Sequence, residues 1–140
     1  MNRPSTDEVI ADLNRLFAEE VEAAIRYLHL RNAVRGLERL TVDPILKEGL
    51  AETIQHAEII ARKIRSLGRV PKLEIQVTCS DEALSGQEAI RQALTVEEAA
   101  LEAYHDVLGH VEGDVSLEEF VRAQIAIESE HVAELRELLA

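Results

Sequence analysis

The sequence predicts an all-α protein, an antiparallel four-helix bundle with a long crossover between its second and third helices. Hydrophobic residues make up 46% of the 140 residues and aromatic residues only 3%. Four stretches repeat apolar side chains at helical spacing, and a stretch of about fifteen residues between the second and third has no such period. A connection of that length suits a crossover along the bundle. We expect one domain over residues 1–140, with helices at about 6–37, 44–67, 86–111 and 117–139.

The first helix begins at a capping box, Ser5 to Glu8, and its apolar face extends to the neighbourhood of Gly36. At about 100° per residue, Glu20 falls in the middle of that apolar arc. A charge in the core is costly unless it is paired or bound to a metal ion. Tyr27 lies two turns further along the same face. Its hydroxyl can reach a carboxylate or a metal-bound water, or Tyr27 can be an ordinary core tyrosine bonded to any acceptor.

The second helix is predicted to begin with Asp43 as N-cap and Pro44 in its first turn. Its apolar arc includes His56 towards one side and Thr53 close to the centre, whereas Glu52 lies at the margin. A lone histidine on an apolar face is more often a hydrogen-bonded core residue than a metal ligand. His56 therefore becomes a candidate ligand only if other ligands lie nearby.

The third and fourth helices are predicted to begin at two further capping boxes, at Ser85 and Ser116. Glu97 lies inside the apolar arc of the third helix, and Glu128 and His131 lie inside that of the fourth. A Glu-x-x-His pair on one face can give a metal ion two ligands from one helix. The same spacing is also common for pairs on a helix surface.

The candidate ligands divide into two similar halves. Glu20 precedes His56, and Glu97 precedes His131, by nearly the same number of residues. This repeat indicates a pseudo-twofold relation within the bundle core. Together with Glu128, these groups could not all keep their charges in one core against desolvation and mutual repulsion. Divalent metal ions would remove that difficulty.

This pattern resembles the ferritin-like di-iron carboxylate proteins, and among them most closely the bacterioferritins. The resemblance covers the four-helix body and rests on Leu13–Glu20, Tyr27, His56–Glu58, Ile64–Gly68, Pro71, Glu97 and Glu128–Val132. It implies two irons per chain that react with oxygen or peroxide. It also implies terminal carboxylates at Glu20 and Glu97, nitrogen ligands at His56 and His131, and a bridging carboxylate at Glu128.

The main departure from the family pattern is Thr53, which stands where the resemblance implies a second bridging glutamate. Three carboxylates leave one positive charge of two ferrous ions uncompensated. A one-residue π-bulge in the second helix could swing Glu52 inward as a substitute ligand. The alternatives are a hydroxide, a substrate oxyanion or a single-metal site.

Two further departures concern haem and assembly. Ile54 stands where bacterioferritins carry the haem-binding methionine, so we expect no haem. The sequence stops at Ala140 without the short fifth helix that helps close the family's 24-subunit shell. We therefore expect a homodimer and not a storage cage.

Composition limits the partners and the compartment. The net charge of −12 argues against nucleic acid or an anionic membrane as a partner. No stretch has the length of a membrane span, and nothing resembles a signal peptide. The single cysteine, Cys79, allows no disulfide within one chain, which suits a reducing cytoplasm.

The sequence thus predicts a bacterioferritin-like protein that binds ferrous ions in the bundle core and oxidises them with oxygen or peroxide. An oxygenase that acts on an organic substrate is a variant of this hypothesis. The alternative is a degenerate relative whose mononuclear or lost metal site leaves a metal carrier or a non-catalytic helical dimer. A plain bundle with partly buried charges is the third hypothesis.

Overall fold

The computed structural model describes residues 4–140 and confirms an all-α four-helix bundle. The helices are α1 (Thr6–Ala33), α2 (Glu38–Ser66), α3 (Gly86–His110) and α4 (Val115–Leu139). An isolated β-bridge joins Val34 and Leu84, and the described residues contain no strand. None of the helices in this described part is both long and apolar enough to cross a bilayer.

The four helices are not evenly spaced. Helix α1 packs along both α2 and α3, and α3 packs along α4. Over residues 4–140, no Cα atom of α2 comes within 8 Å of a Cα atom of α4. Across this wider gap the rings of His56 on α2 and His131 on α4 face each other.

The segment between α2 and α3 is the predicted crossover, and it follows α1. The Lys72 backbone N–H donates to the Asn14 side chain at 2.9 Å. Further on, a ring nitrogen of His29 lies 2.6 Å from the Ser80 carbonyl oxygen, and the Leu84 N–H donates to the Ala33 carbonyl at 2.9 Å. These contacts tie the segment to α1 along most of that helix.

Two of the three predicted N-caps, Ser5 and Ser85, begin helices, and Ser5 forms the complete capping box with Glu8. The Ser5 hydroxyl accepts from the Glu8 N–H at 3.2 Å, and the Ser85 hydroxyl accepts from the Glu88 N–H at 3.0 Å. The prediction for the fourth helix is wrong: Asp114, and not Ser116, is the N-cap, and its carboxylate accepts from the Leu117 N–H at 3.2 Å. An aspartate two residues upstream offers the same acceptor chemistry, so α4 begins earlier than predicted.

The predicted start of the second helix is also wrong. Helix α2 begins at Glu38, and Pro44 lies inside it. Pro44 is the seventh residue of α2, so its missing N–H removes one intrahelical hydrogen bond, and the helix nevertheless extends upstream of it. Asp43 lies inside the helix and is therefore not a cap; its carboxylate accepts two hydrogen bonds from Arg31, at 3.0 and 3.2 Å. The turn before α2 uses Gly36, whose φ of 78° favours glycine.

Two apolar clusters form the core, one towards each end of the bundle. The first cluster is centred on Leu16, Ile60 and Val107. The second is centred on Leu46 and Ala93. The buried charged side chains are contributed by the parts of the helices between these two clusters. The apolar packing on both sides keeps those charges away from water.

Truncation of a core leucine tests this description of the core. Leu46 is fully buried, so Leu46→Ala should lower the free energy of unfolding by about 2–5 kcal/mol. Leu40 lies on the same helix and is 77% exposed, so Leu40→Ala should change it by less than about 0.5 kcal/mol. Urea denaturation measures both values. Equal losses in the two variants would contradict the assignment of Leu46 to the core.

Candidate metal centre

The middle of the bundle buries four ionisable side chains, one from each helix. The exposed fraction is 0% for Glu20, 4% for His56, 2% for Glu97 and 0% for Glu128. Each lies at a position that the helical period predicts to face inward. Such groups are rarely buried unless they are paired or bind a ligand, so their convergence indicates a site.

Two groups of metal-ligating side chains meet there, and they share one carboxylate. Glu20, His56 and Glu128 form the first group, and Glu97, Glu128 and His131 form the second. Within each group, one ligand atom from every residue lies within 4.8 Å of the others. Because both groups include Glu128, its carboxylate lies where it could bridge two metal ions.

The two histidines face each other across the space between α2 and α4. Their rings are stacked, with centroids 5.7 Å apart and planes 10° from parallel. His56 Nδ1 lies 2.9 Å from Glu128 Oε1 and 3.5 Å from Glu20 Oε2. The His131 side chain is 14% exposed, so the second group lies nearer to solvent than the first.

Each buried carboxylate of α1 and α3 accepts a hydrogen bond from a tyrosine of the other helix. Tyr27 on α1 donates to Glu97 Oε1 at 2.6 Å. Tyr104 on α3 donates to Glu20 Oε1 at 3.1 Å. Burial raises the pKa of both tyrosine hydroxyls, so both remain protonated donors. Of the roles left open by the sequence, Tyr27 therefore has the bond to a carboxylate.

The second oxygen of each of the three buried glutamates has no hydrogen-bond partner. These atoms are Glu20 Oε2, Glu97 Oε2 and Glu128 Oε2. An unsatisfied buried carboxylate oxygen is costly, and cations bound at the two groups would satisfy all three. The donor set of carboxylates and imidazoles suits iron and other divalent transition metals. The residues present thus fit a metal site.

The protonation of these groups without metal follows from their burial. Burial raises the pKa of Glu20, and the close contact with His56, whose Nδ1 lies 3.5 Å from Glu20 Oε2, offsets this only in part. Burial and then the neighbouring Glu128 raise the pKa of Glu97 to about 8. Burial opposes the charged form of His56, but its bonds to Glu128 and Glu20 outweigh this and raise its pKa to about 10. The metal-free centre therefore holds protons at neutral pH.

Thr53 contributes no ligand to either group. It is buried, and its hydroxyl is directed at the carbonyl oxygens of Gly49 and Leu50, at 3.0 and 2.9 Å. The suggested π-bulge is not present, since α2 is α-helical through this region. Glu52 reaches the site without it, with its Oε2 atom 2.8 Å from His131 Nε2. Glu52 thus contacts the second group through His131 and is not a member of either group.

One buried polar residue near the site is absent from the predicted set. Gln124 is buried on α4, and its Oε1 atom has no partner. It lies one helical turn before Glu128 on the same face. That spacing was the available signal, but an uncharged amide in an apolar arc is a weaker indication than a buried charge.

The comparisons with known proteins agree with this geometry. A family model described as "Ferritin-like domain" matches residues 10–140. No curated protein was found to match the sequence. A solved structure described as a ferritin-like, diiron-carboxylate protein from Bacillus anthracis str. Ames is 26% identical, with a TM-score of 0.82 and 96% of each chain covered.

Two other solved structures are similar in fold. A dodecameric thioferritin from Bacteroides fragilis, described as bacterioferritin-related, is 23% identical, with a TM-score of 0.81, and the match covers 98% of this chain and 87% of that one. Dps from Thermosynechococcus elongatus is 19% identical, with a TM-score of 0.82, and the match covers 96% and 91%. The fold, the buried ligand set and the family match together show that this chain belongs to the ferritin-like domain family.

Proposed function

We propose that this protein binds two ferrous ions in its core and oxidises them with oxygen or peroxide. The observation that carries the proposal is the sharing of Glu128 between two ligand groups. A carboxylate shared by two ligand groups could hold two cations side by side. The likeness to a diiron-carboxylate protein supports the same function.

The side chains suggest how the two ions would be held. One ion would bind between Glu20, His56 and Glu128, and the other between Glu97, Glu128 and His131. Each ferrous ion gives up one electron, and the pair reduces oxygen with two protons to hydrogen peroxide, or hydrogen peroxide with two protons to two waters. The protein's part is to fix the ligands and to exclude water with the apolar clusters on both sides.

The charge balance of the site indicates that Glu52 also contributes to binding the two ferrous ions. Three buried carboxylates compensate three of the four positive charges of two ferrous ions. Glu52 supplies another negative charge at the solvent side of the second group, through its contact with His131. A carboxylate that accepts from a metal-bound histidine also fixes the orientation of that ring.

Thr53 supports a second candidate function. Its hydroxyl is directed at backbone carbonyls, so the site lacks one carboxylate that the family pattern implies. A protein with one firmly held metal, bound by Glu20, His56 and Glu128, would need no carboxylate at position 53. In that case the chain would be a mononuclear metal-binding protein and not a ferroxidase.

We further propose that copies of this chain associate. Ile25 and Leu28 of α1 and Ile54 of α2 are 38%, 52% and 49% exposed, and burial of such side chains favours association. One similar structure is described as dodecameric. The homodimer and the cytoplasmic location expected from the sequence remain predictions, as does the expectation that neither nucleic acid nor membrane is a partner.

Anaerobic loading with ferrous ion tests the function. We expect two irons per chain, and rapid growth of ferric absorbance when oxygen or peroxide is added. Elemental analysis and stopped-flow absorbance measure the two quantities. One iron per chain without oxidation would support the mononuclear candidate, and no bound metal would contradict both.

Removal of the shared carboxylate should disable both positions. Glu128→Ala should weaken binding of both irons by about 100-fold or more, because each position loses a ligand. Glu130 is exposed on the same helix, so Glu130→Ala should bind iron like the original protein. Equilibrium titration with ferrous ion distinguishes the variants. Loss of only one iron in Glu128→Ala would exclude the bridging role.

Metal binding should release protons at neutral pH. His56 and Glu97 have pKa values of about 10 and about 8, so both hold protons at pH 7 and must lose them to bind a metal. We expect about two protons released per chain, and an affinity that rises with pH up to about 10, where His56 also loses its proton. Calorimetric titration with zinc in two buffers of different ionisation enthalpy measures the release. Binding without proton release would show that these ligands are already deprotonated.

A further inference from the structure

Gly49 lies in the middle of α2, one helical turn before Thr53, and it is buried. Apart from proline, glycine is the least favourable residue in a helix interior. The backbone at Gly49 does not require glycine, because Gly49 is not among the described residues with a positive φ. Its presence therefore points to a close approach of another group.

That group is the ring of Tyr27. A Cβ atom built on Gly49 would lie 2.5 Å from Tyr27 Cζ and 2.9 Å from Tyr27 Cδ1. Both distances are shorter than real carbon contacts allow. By contrast, a Cβ atom built on Gly109, which lies in α3, would meet nothing within 4 Å. Of these two helical glycines, only Gly49 has a neighbour that requires the missing side chain.

The close packing aims the Tyr27 hydroxyl at the candidate metal centre. Tyr27 is buried and donates to Glu97 Oε1 at 2.6 Å. Glu97 Oε2 then remains without a partner and available to a cation. The position of the Tyr27 ring thus determines which Glu97 oxygen accepts the hydrogen bond and which has no partner.

The pseudo-twofold relation of the bundle provides an internal comparison. Thr53 and His56 on α2 correspond to Glu128 and His131 on α4, so Gly49 corresponds to Gln124. The tyrosine bond in the half with Gly49 is 2.6 Å, whereas Tyr104 in the other half donates to Glu20 at 3.1 Å. The shorter bond belongs to the half in which glycine makes room for the ring.

We propose that Gly49 is a positioning residue, which admits the Tyr27 ring against α2 so that its hydroxyl holds Glu97 Oε1 and leaves Oε2 for a metal ion. The packing and the hydrogen bond are properties of the metal-free protein. Only the consequence for metal binding rests on the proposed function. The two parts are therefore tested separately.

The packing is tested by thermal unfolding of Gly49→Ala and Gly109→Ala without metal. Alanine is the better helix residue, so Gly109→Ala should raise Tm. Gly49→Ala should lower Tm, because the new methyl group clashes with the ring. In a Tyr27→Ala background the clash is absent, and Gly49→Ala should again raise Tm. If Gly49→Ala fails to fold, folding of the Gly49→Ala/Tyr27→Ala double variant supports the proposal, and failure of both overturns it.

The hydrogen bond is tested by tyrosine fluorescence in a Tyr104→Phe background. The sequence has two tyrosines and no tryptophan, so emission there reports on Tyr27. The hydrogen bond from Tyr27 to Glu97 should quench this emission. Gly49→Ala should increase the emission, and Gly109→Ala should leave it unchanged. Unchanged emission together with a raised Tm in Gly49→Ala would overturn the proposal.

The consequence for the site is tested by anaerobic ferrous titration of the same two variants. Gly49→Ala should weaken the binding of one of the two ferrous ions about tenfold. Gly109→Ala should change the binding of neither ion. If the original protein binds no iron, the proposed function fails while the unfolding and fluorescence results still decide the packing. If iron binds equally well to both variants, the assigned role of Gly49 at Glu97 is wrong.

Discussion

Burial of the Glu128 carboxylate constrains the whole centre of the bundle. A charge between two apolar clusters is costly unless opposite charges or donors surround it. His56 supplies one such partner at 2.9 Å, and one oxygen of Glu128 remains unsatisfied. The inward positions on α1 and α3 add two more carboxylates, each held on one side by a tyrosine. The free oxygens that remain are the reason to expect cations.

The two halves of the site are similar in sequence but differ in chemistry. The group of Glu20, His56 and Glu128 is closed from water, whereas His131 contacts Glu52 at the solvent side. The halves also differ in that α2 carries Thr53 at the position that corresponds to Glu128 on α4. Glu52 adds a negative charge to the second group from outside it. The group that includes His131 should therefore be the more accessible of the two to solvent.

Sequence reasoning predicted the fold class and the inward glutamates because one helical period governs both. The helical period that predicts Leu16 to face the core predicts the same for Glu20, and both residues are buried in the structure. The start of α2 was not predictable from Pro44, because proline is typical of the first turn of a helix, whereas Pro44 is the seventh residue of α2. The role of Gly49 was also hidden, since it depends on a ring from another helix. Helical periodicity identifies a buried face, but contacts between helices decide what each position does.

The most direct test of this account is the location of bound metal. Crystals of the protein loaded anaerobically with ferrous ion would be measured by anomalous diffraction at the iron edge. We expect two peaks per chain on either side of the Glu128 carboxylate, one beside Glu20 and His56 and the other beside Glu97 and His131. A single peak, or two peaks that do not share Glu128, would contradict the account.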